Sequence, residues 1–149
     1  MRVLGIDPGS VSAAYAVYDT HHGAVIVEDV PVVDRQVNAA EFARLVEQHR
    51  PDRVVIETVG AFPKQGVSSS FRFGMGCGLL RGVVLGRGLT LVEVPASTWK
   101  KYFKLNREAE KSRSLAIKLF PAVQGLSRKR DHNRAEALLL AVYLAETTR

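Results

Sequence analysis

Cysteine is almost missing from this chain. The single thiol, Cys77, has no internal partner, which excludes a disulfide framework, and one cysteine cannot build a zinc site alone. No apolar run approaches the roughly 20 residues that a membrane-spanning helix needs. The opening MRVLGIDPGS lacks the layout of a signal peptide, so the expectation is a chain that starts here and works in the cytoplasm. Repeats, low-complexity tracts and linkers are also missing. The 149 residues therefore read as one domain, 1–149, and at 46% hydrophobic residues they can bury a core of real size.

Acidic residues are scarce in one half. Residues 1–62 carry 5 Lys+Arg against 9 Asp+Glu, a net of −4. Residues 63–149 carry 16 against 6, a net of +10, which together give the overall +6. A basic half beside a more acidic one suggests a one-sided surface for a polyanion. A solubilising excess of charge explains the composition equally well.

Hydropathy patterning predicts strands at Met1–Asp7, Ser12–Asp19, Ala24–Val33, Arg53–Thr58 and Leu89–Val94. Helical spacing is found over Asn38–His49, Ser68–Leu85, Ala96–Phe103, Glu108–Phe120 and Asp131–Glu146, with Ser97 as an expected N-cap. Ala61–Val67 reads as a loop. The order βββαβαβ, then helices, gives an α/β fold: a five-stranded mixed sheet, three antiparallel strands then parallel ones, flanked by helices. Ser68–Leu85 is odd for a helix. It contains Gly74, Gly76, Gly78 and Gly82, each costing about 1 kcal/mol against alanine. Close approach by another backbone is the expected reason, in a helix–helix or dimer contact.

Four acids fall at element ends. Asp7 closes the first strand and Glu57 the fourth, while Asp131 and Glu136 open the last helix. A carboxylate ending an apolar strand costs several kcal/mol to bury unless it is paired, neutralised or coordinates a metal. Two such acids on adjacent parallel strands would meet at the carboxyl edge, where open α/β sheets bind ligands. Phosphodiester hydrolysis has a use for that set, because two Mg²⁺ about 3.5–4 Å apart serve both the attacking and the leaving oxygen. Other readings stand beside this one: Asp131 as a plain N-cap, His132 as an exposed first-turn residue, Glu136 on a solvated face.

GIDPGS, VVIET at 54–58 and RDHNRAEALLLAVYLAE at 130–146 together resemble the RuvC family of Holliday-junction resolvases, in the RNase H-like superfamily. The segment AFPKQGVSSSFRFGMGCGLLRG at 61–82, with WKKYF and KSRSLAIKLFP, is similar to the phage-type members. GIDPGS also opens actin-like ATPases, but that fold duplicates its domain around the nucleotide and 149 residues are too few. The resemblance implies an RNase H-like fold, a homodimer, a bacterial or phage-infected host cell, and Mg²⁺-dependent paired nicking of four-way junctions. Two Mg²⁺ per site are implied, with Mn²⁺ as a substitute. The implied metal ligands are Asp7, Glu57 and Glu136. Bacterial members place an acid three residues before the last ligand, where this chain has Asn133. Asp131 is taken as the fourth ligand instead, with His132 as the alternative. Lys100 and Lys111 match family lysines near the scissile phosphate, and Lys111 is assigned a catalytic role.

Basic residues cluster near these positions. Lys100, Lys101, Lys104 and Arg107, then Arg128, Lys129 and Arg130, are expected to bind DNA phosphates. Phe62 follows Glu57 in the loop, where the resemblance implies stacking on opened bases and simple core packing is the other reading. Phe71, Phe73 and Trp99 are assigned to the core. Two other functions remain open on sequence: a related nuclease acting on RNA or hybrid, and a non-catalytic structure-specific DNA-binding protein.

Overall fold

A computed structural model describes residues 1–9, 12–61 and 63–148. Its centre is a five-stranded sheet in the order β3-β2-β1-β6-β7. The strands are β1 (Arg2–Asp7), β2 (Ala14–Asp19), β3 (Ala24–Asp29), β6 (Arg53–Thr58) and β7 (Leu91–Pro95). A small hairpin, β4 (Val32–Val33) with β5 (Gln36–Val37), stands apart from the sheet. β1, β2 and β3 pair antiparallel, whereas β6 and β7 run parallel to β1. The expected mixed sheet, three antiparallel strands and then parallel ones, is therefore present.

Alternation along β1 divides the core. Val3 faces the side covered by the C-terminal helix, together with Ala14, Val55 and Val94. Leu4 and Ile6 face the opposite side, with Tyr15, Phe42, Leu80 and Val84. That second side is covered by α1 (Ala39–His49) and α2 (Val67–Gly86). The first is covered by α3 (Ala96–Tyr102), α4 (Ala109–Leu119) and α5 (His132–Thr147).

α5 is buried nearly all round. Ala137, Leu140, Ala141, Leu144 and Ala145 are buried as well as the expected Ala135, Leu138, Leu139 and Val142. The sequence pattern singled out one apolar face, but the alanines and leucines on the other side are buried as well, with α4 packed against the helix. Gly5 makes the close packing possible. A Cβ there would lie 2.1 Å from the Ala137 carbonyl oxygen and 2.9 Å from the Ala141 nitrogen, so only glycine lets α5 rest directly on β1.

Three local expectations change. The third strand stops at Asp29 rather than Val33: Pro31 offers no N–H to a ladder, and residues 32–37 turn back as the small hairpin. α3 starts at Ala96 directly from β7, so Ser97 lies inside the first turn and caps nothing. Phe71 is 69% exposed on α2, not in the core. The hairpin turn holds Asp34 and Arg35 at φ 50° and 61°. For residues with a Cβ, that conformation costs roughly 1–2 kcal/mol each.

Candidate active site

Register brings the strand-end acids together. Ile6 pairs with Ile56 across the parallel β1–β6 ladder, so Asp7 and Glu57 are the next residues on neighbouring strands. α5 lies over β1 at Gly5, which carries Glu136, one residue before Ala137, to the same edge. Asp7 is 4% exposed and Glu136 8%.

Each carboxylate has an orienting donor. The Gly9 N–H donates to Asp7 Oδ1 at 3.0 Å. Gly9 holds φ 21°, and a Cβ on it would strike the Ser12 carbonyl oxygen at 2.1 Å, which is why this tight turn takes glycine. Trp99 Nε1 donates to Glu57 Oε2 at 2.8 Å. Ser112 Oγ donates to Glu136 Oε1 at 3.0 Å, and Lys100 Nζ sits 2.8 Å from the same oxygen. Trp99 is in the core as expected, and its indole nitrogen also serves the site. Ser112, fully buried on α4, was not singled out in the sequence; one hydroxyl in an amphipathic helix carries no signal of its target.

Electrostatics mark Asp7 as the strained member. Burial pushes its carboxyl well above the usual range, and the charges of Glu57 and Glu136 push it further, against the Gly9 N–H and Lys100. Burial likewise raises Glu57, with Glu136 adding to it, while the Trp99 hydrogen bond and Lys100 oppose the rise. An oxygen-only set of mutually repelling acids suits a hard divalent cation. Among the described residues no three His, Cys, Asp or Glu side chains are drawn close enough to grip an ion as they stand. The positive charge at the cluster is the Lys100 ammonium.

The remaining predicted residues are placed elsewhere. Asp131 is not brought to the three acids. It is 2% exposed and bound to its own turn, accepting from the Arg128 N–H at 2.8 Å and from the Arg128 guanidinium at 2.7 Å. Arg134 stands 3.8 Å away and grips Asp29 of β3 with two further bonds, so Asp131 belongs to the β3 side, two strands from Asp7. His132 Nδ1 lies 3.2 Å from the Lys129 carbonyl oxygen. The residue of this helix turn that does reach the Asp7 loop is Asn133, whose Nδ2 donates to the Ser12 carbonyl oxygen at 2.8 Å.

Lys111 pairs with Glu108 at 3.1 Å and is half exposed, next in chain to Ser112. Lys101, Lys104 and Arg107 line a cleft of about 620 Å³ with Lys100, beside the acids. Arg128 is occupied by Asp131, whereas Lys129 and Arg130 are exposed. Phe62 lies outside the described residues.

The family model for the crossover junction endodeoxyribonuclease RuvC matches residues 3–143. The chain belongs to the RuvC family. It is a metal-dependent endodeoxyribonuclease of that family, acting at crossover junctions. RuvC of Trichlorobacter lovleyi is 27% identical over 95% of this chain and 83% of its own length. RuvC of Geotalea uraniireducens is 26% identical over 99% and 90%. RuvC of Chlorobium chlorochromatii is 29% identical, over 62% of this chain and 53% of its own length. Thermus thermophilus RuvC, solved in complex with a Holliday junction substrate, superposes with a TM-score of 0.76 at 19% identity, covering all of this chain and 95% of that one. A fowlpox virus resolvase, solved with Holliday junction DNA, gives 0.60 at 14% identity over 99% of both chains. These likenesses identify the sheet and its flanking helices as the RuvC form of the RNase H-like fold. Among the described residues no helix is long and apolar enough to cross a membrane.

Proposed function

We propose that residues 1–149 act as one nuclease domain that resolves four-way DNA junctions by paired nicks, with Asp7, Glu57 and Glu136 holding two Mg²⁺. The observation carrying this reading is the trio itself: a buried Asp7 whose charge is opposed by two further carboxylates at the carboxyl edge of adjacent parallel strands. The ions supply positive charge that polarises phosphoryl oxygens and acidifies the attacking water. The protein's part is positional. Trp99 fixes the Glu57 carboxylate and Ser112 that of Glu136, each through one oxygen. Lys100 is the ammonium that offsets charge developing on the phosphate, while Lys111 borders the site beside Ser112. Asp131 joins the set only by giving up Arg128, and Asn133 is the nearer neighbour of the Asp7 loop.

Paired nicks need two active sites, and α2 offers the surface that would bring them together. Val67, Phe71, Met75 and Leu85 are exposed on it. At about 100° per residue, Gly74, Gly78 and Gly82 fall among them on one side of the helix. A Cβ at any of the three would meet nothing inside this chain. That stripe fits a second copy approaching closely along α2, in a twofold homodimer.

The test is cleavage of a fluorescent four-way junction in Mg²⁺. Wild type gives symmetric nicks in opposed strands, and Glu57→Gln gives none. Equal cutting of a linear RNA–DNA hybrid, or junction binding with no Mg²⁺-dependent cutting, would overturn the reading.

A further inference from the structure

A second cationic cleft lies on the other face of the sheet from the Lys100–Arg107 cluster. It has a volume of about 430 Å³ and three walls. Pro8, Gly9 and Ser12, from the loop that follows Asp7, form the first. Arg35, at the tip of the β4–β5 hairpin, stands on the second. Ser69 and Arg72 of α2 stand on the third. No acidic side chain lines it. Among the described residues neither Arg35 nor Arg72 is held in an ion pair, unlike Arg81, Arg113, Arg128 and Arg134.

The hairpin is fastened where it needs to be. Gln36 Nε2 donates to the Arg72 carbonyl oxygen at 3.1 Å, and Gln36 Oε1 accepts from the Val37 N–H at 2.8 Å. The same Gln36 fills the space above Gly76, where a Cβ would lie 3.0 Å from Oε1. Arg35 therefore rides on a turn clamped to α2, in a left-handed backbone conformation that favours glycine or asparagine. That backbone conformation is costly for a residue with a Cβ, and the side chain it presents lines the cleft.

We infer that Arg35 and Arg72 form a phosphate clamp for the DNA strand running past Asp7 on the α2 face, opposite the lysine-rich cleft. Two guanidinium forks facing a cleft with hydroxyl donors suit phosphate oxygens, which they bind with two parallel N–H bonds each. The strand would then be gripped on both sides of the acids, by Lys101, Lys104 and Arg107 on one face of the sheet and by these arginines on the other. This inference rests on the proposed action on branched DNA and extends it to a particular strand path.

Fluorescence anisotropy of a labelled four-way junction in EDTA, across a salt series, tests it. The proteins are wild type, Arg35→Ala, Arg72→Ala, the double variant, Arg35→Lys, and Arg53→Ala as a control at the far end of β6. Each alanine substitution is expected to weaken binding and to make the slope of log K against log salt shallower by about one. The double variant loses about two, whereas Arg35→Lys and Arg53→Ala keep the wild-type slope. Thermal melts check that each variant folds, and Arg→Gln replaces any alanine variant that does not. Folded alanine variants with the wild-type slope overturn the clamp while leaving junction cutting intact. A wild-type protein that neither binds nor cuts the junction overturns the underlying function instead.

Discussion

Asp7 shows how one residue can be costly to the fold and still be the centre of the proposed chemistry. Burial and two neighbouring acids hold its carboxyl above the ordinary range. In EDTA the folded state therefore binds more protons than the unfolded chain between the ordinary value and the raised one, so stability falls as pH rises through that window. Above the raised value the whole penalty is present. Asp7→Asn is expected to melt higher than wild type in EDTA at neutral pH, by about 2–4 °C for each kcal/mol relieved. The gap should close below about pH 4, where both forms are neutral. Mg²⁺ should raise the wild-type melting temperature and leave the variant's nearly unchanged. Scanning calorimetry at pH 4 and 7.5, with and without Mg²⁺, checks all three points; a variant less stable than wild type at neutral pH would contradict the electrostatic account. Asp7, Glu57 and Glu136 were legible because an acid closing an apolar strand, or packed among alanines and leucines, is chemically out of place. Ser112 and the indole of Trp99 were not, since a hydroxyl or ring nitrogen finds its acceptor only after the helices have packed.

At the scale of elements, the contact between α5 and β1 decides where Glu136 ends up. Gly5 sets that contact, with no room for a methyl group between strand and helix. Gly5→Ala is expected to cost at least the 1–3 kcal/mol typical of overpacking, and to reduce cutting by more than its loss of stability explains, as Glu136 is pushed from Asp7. Urea melts with cleavage rates at a temperature where the variant is fully folded separate these effects; unchanged cutting would show that Glu136 does not depend on this contact. The last helix was read correctly as an element, but its polar N-terminal turn was not readable in detail. Asp131 sits three residues from Arg128 and three from Arg134, and both guanidinium groups reach its carboxylate. Which acid of RDHNRAE turns toward the sheet edge and which is tied back depends on the rotation of α5 over β1, and that follows from side-chain packing rather than from spacing.

At the scale of the whole molecule, a nuclease cutting two strands needs its acidic sites held at a fixed separation. The apolar and glycine stripe on α2 is the surface proposed for that purpose. Gly78→Arg, at an open position of the stripe, should leave the fold intact and dissociate the proposed dimer. Sedimentation velocity is expected to show a monomer, and junction cleavage single nicks in place of paired ones. A dimeric Gly78→Arg protein would remove α2 from the interface. The four glycines already set this helix apart in the sequence, where each is a helix-weakening choice without local benefit. Three of them prove open to the outside and only Gly76 is filled by its own chain, through Gln36. By itself the sequence indicated the order of elements along the chain, the mixed sheet, the acids at strand and helix ends and the basic second half, because periodicity, composition and misplaced charge are local properties. Tertiary structure alone decided that Lys100 rather than Lys111 meets the acids, that Asp131 is held back by Arg128, that Phe71 faces outward, and that residues 32–37 leave the sheet to frame a second cleft. Those outcomes depend on helix rotation and on which side chains arrive from other elements, and neither is encoded in spacing along one segment.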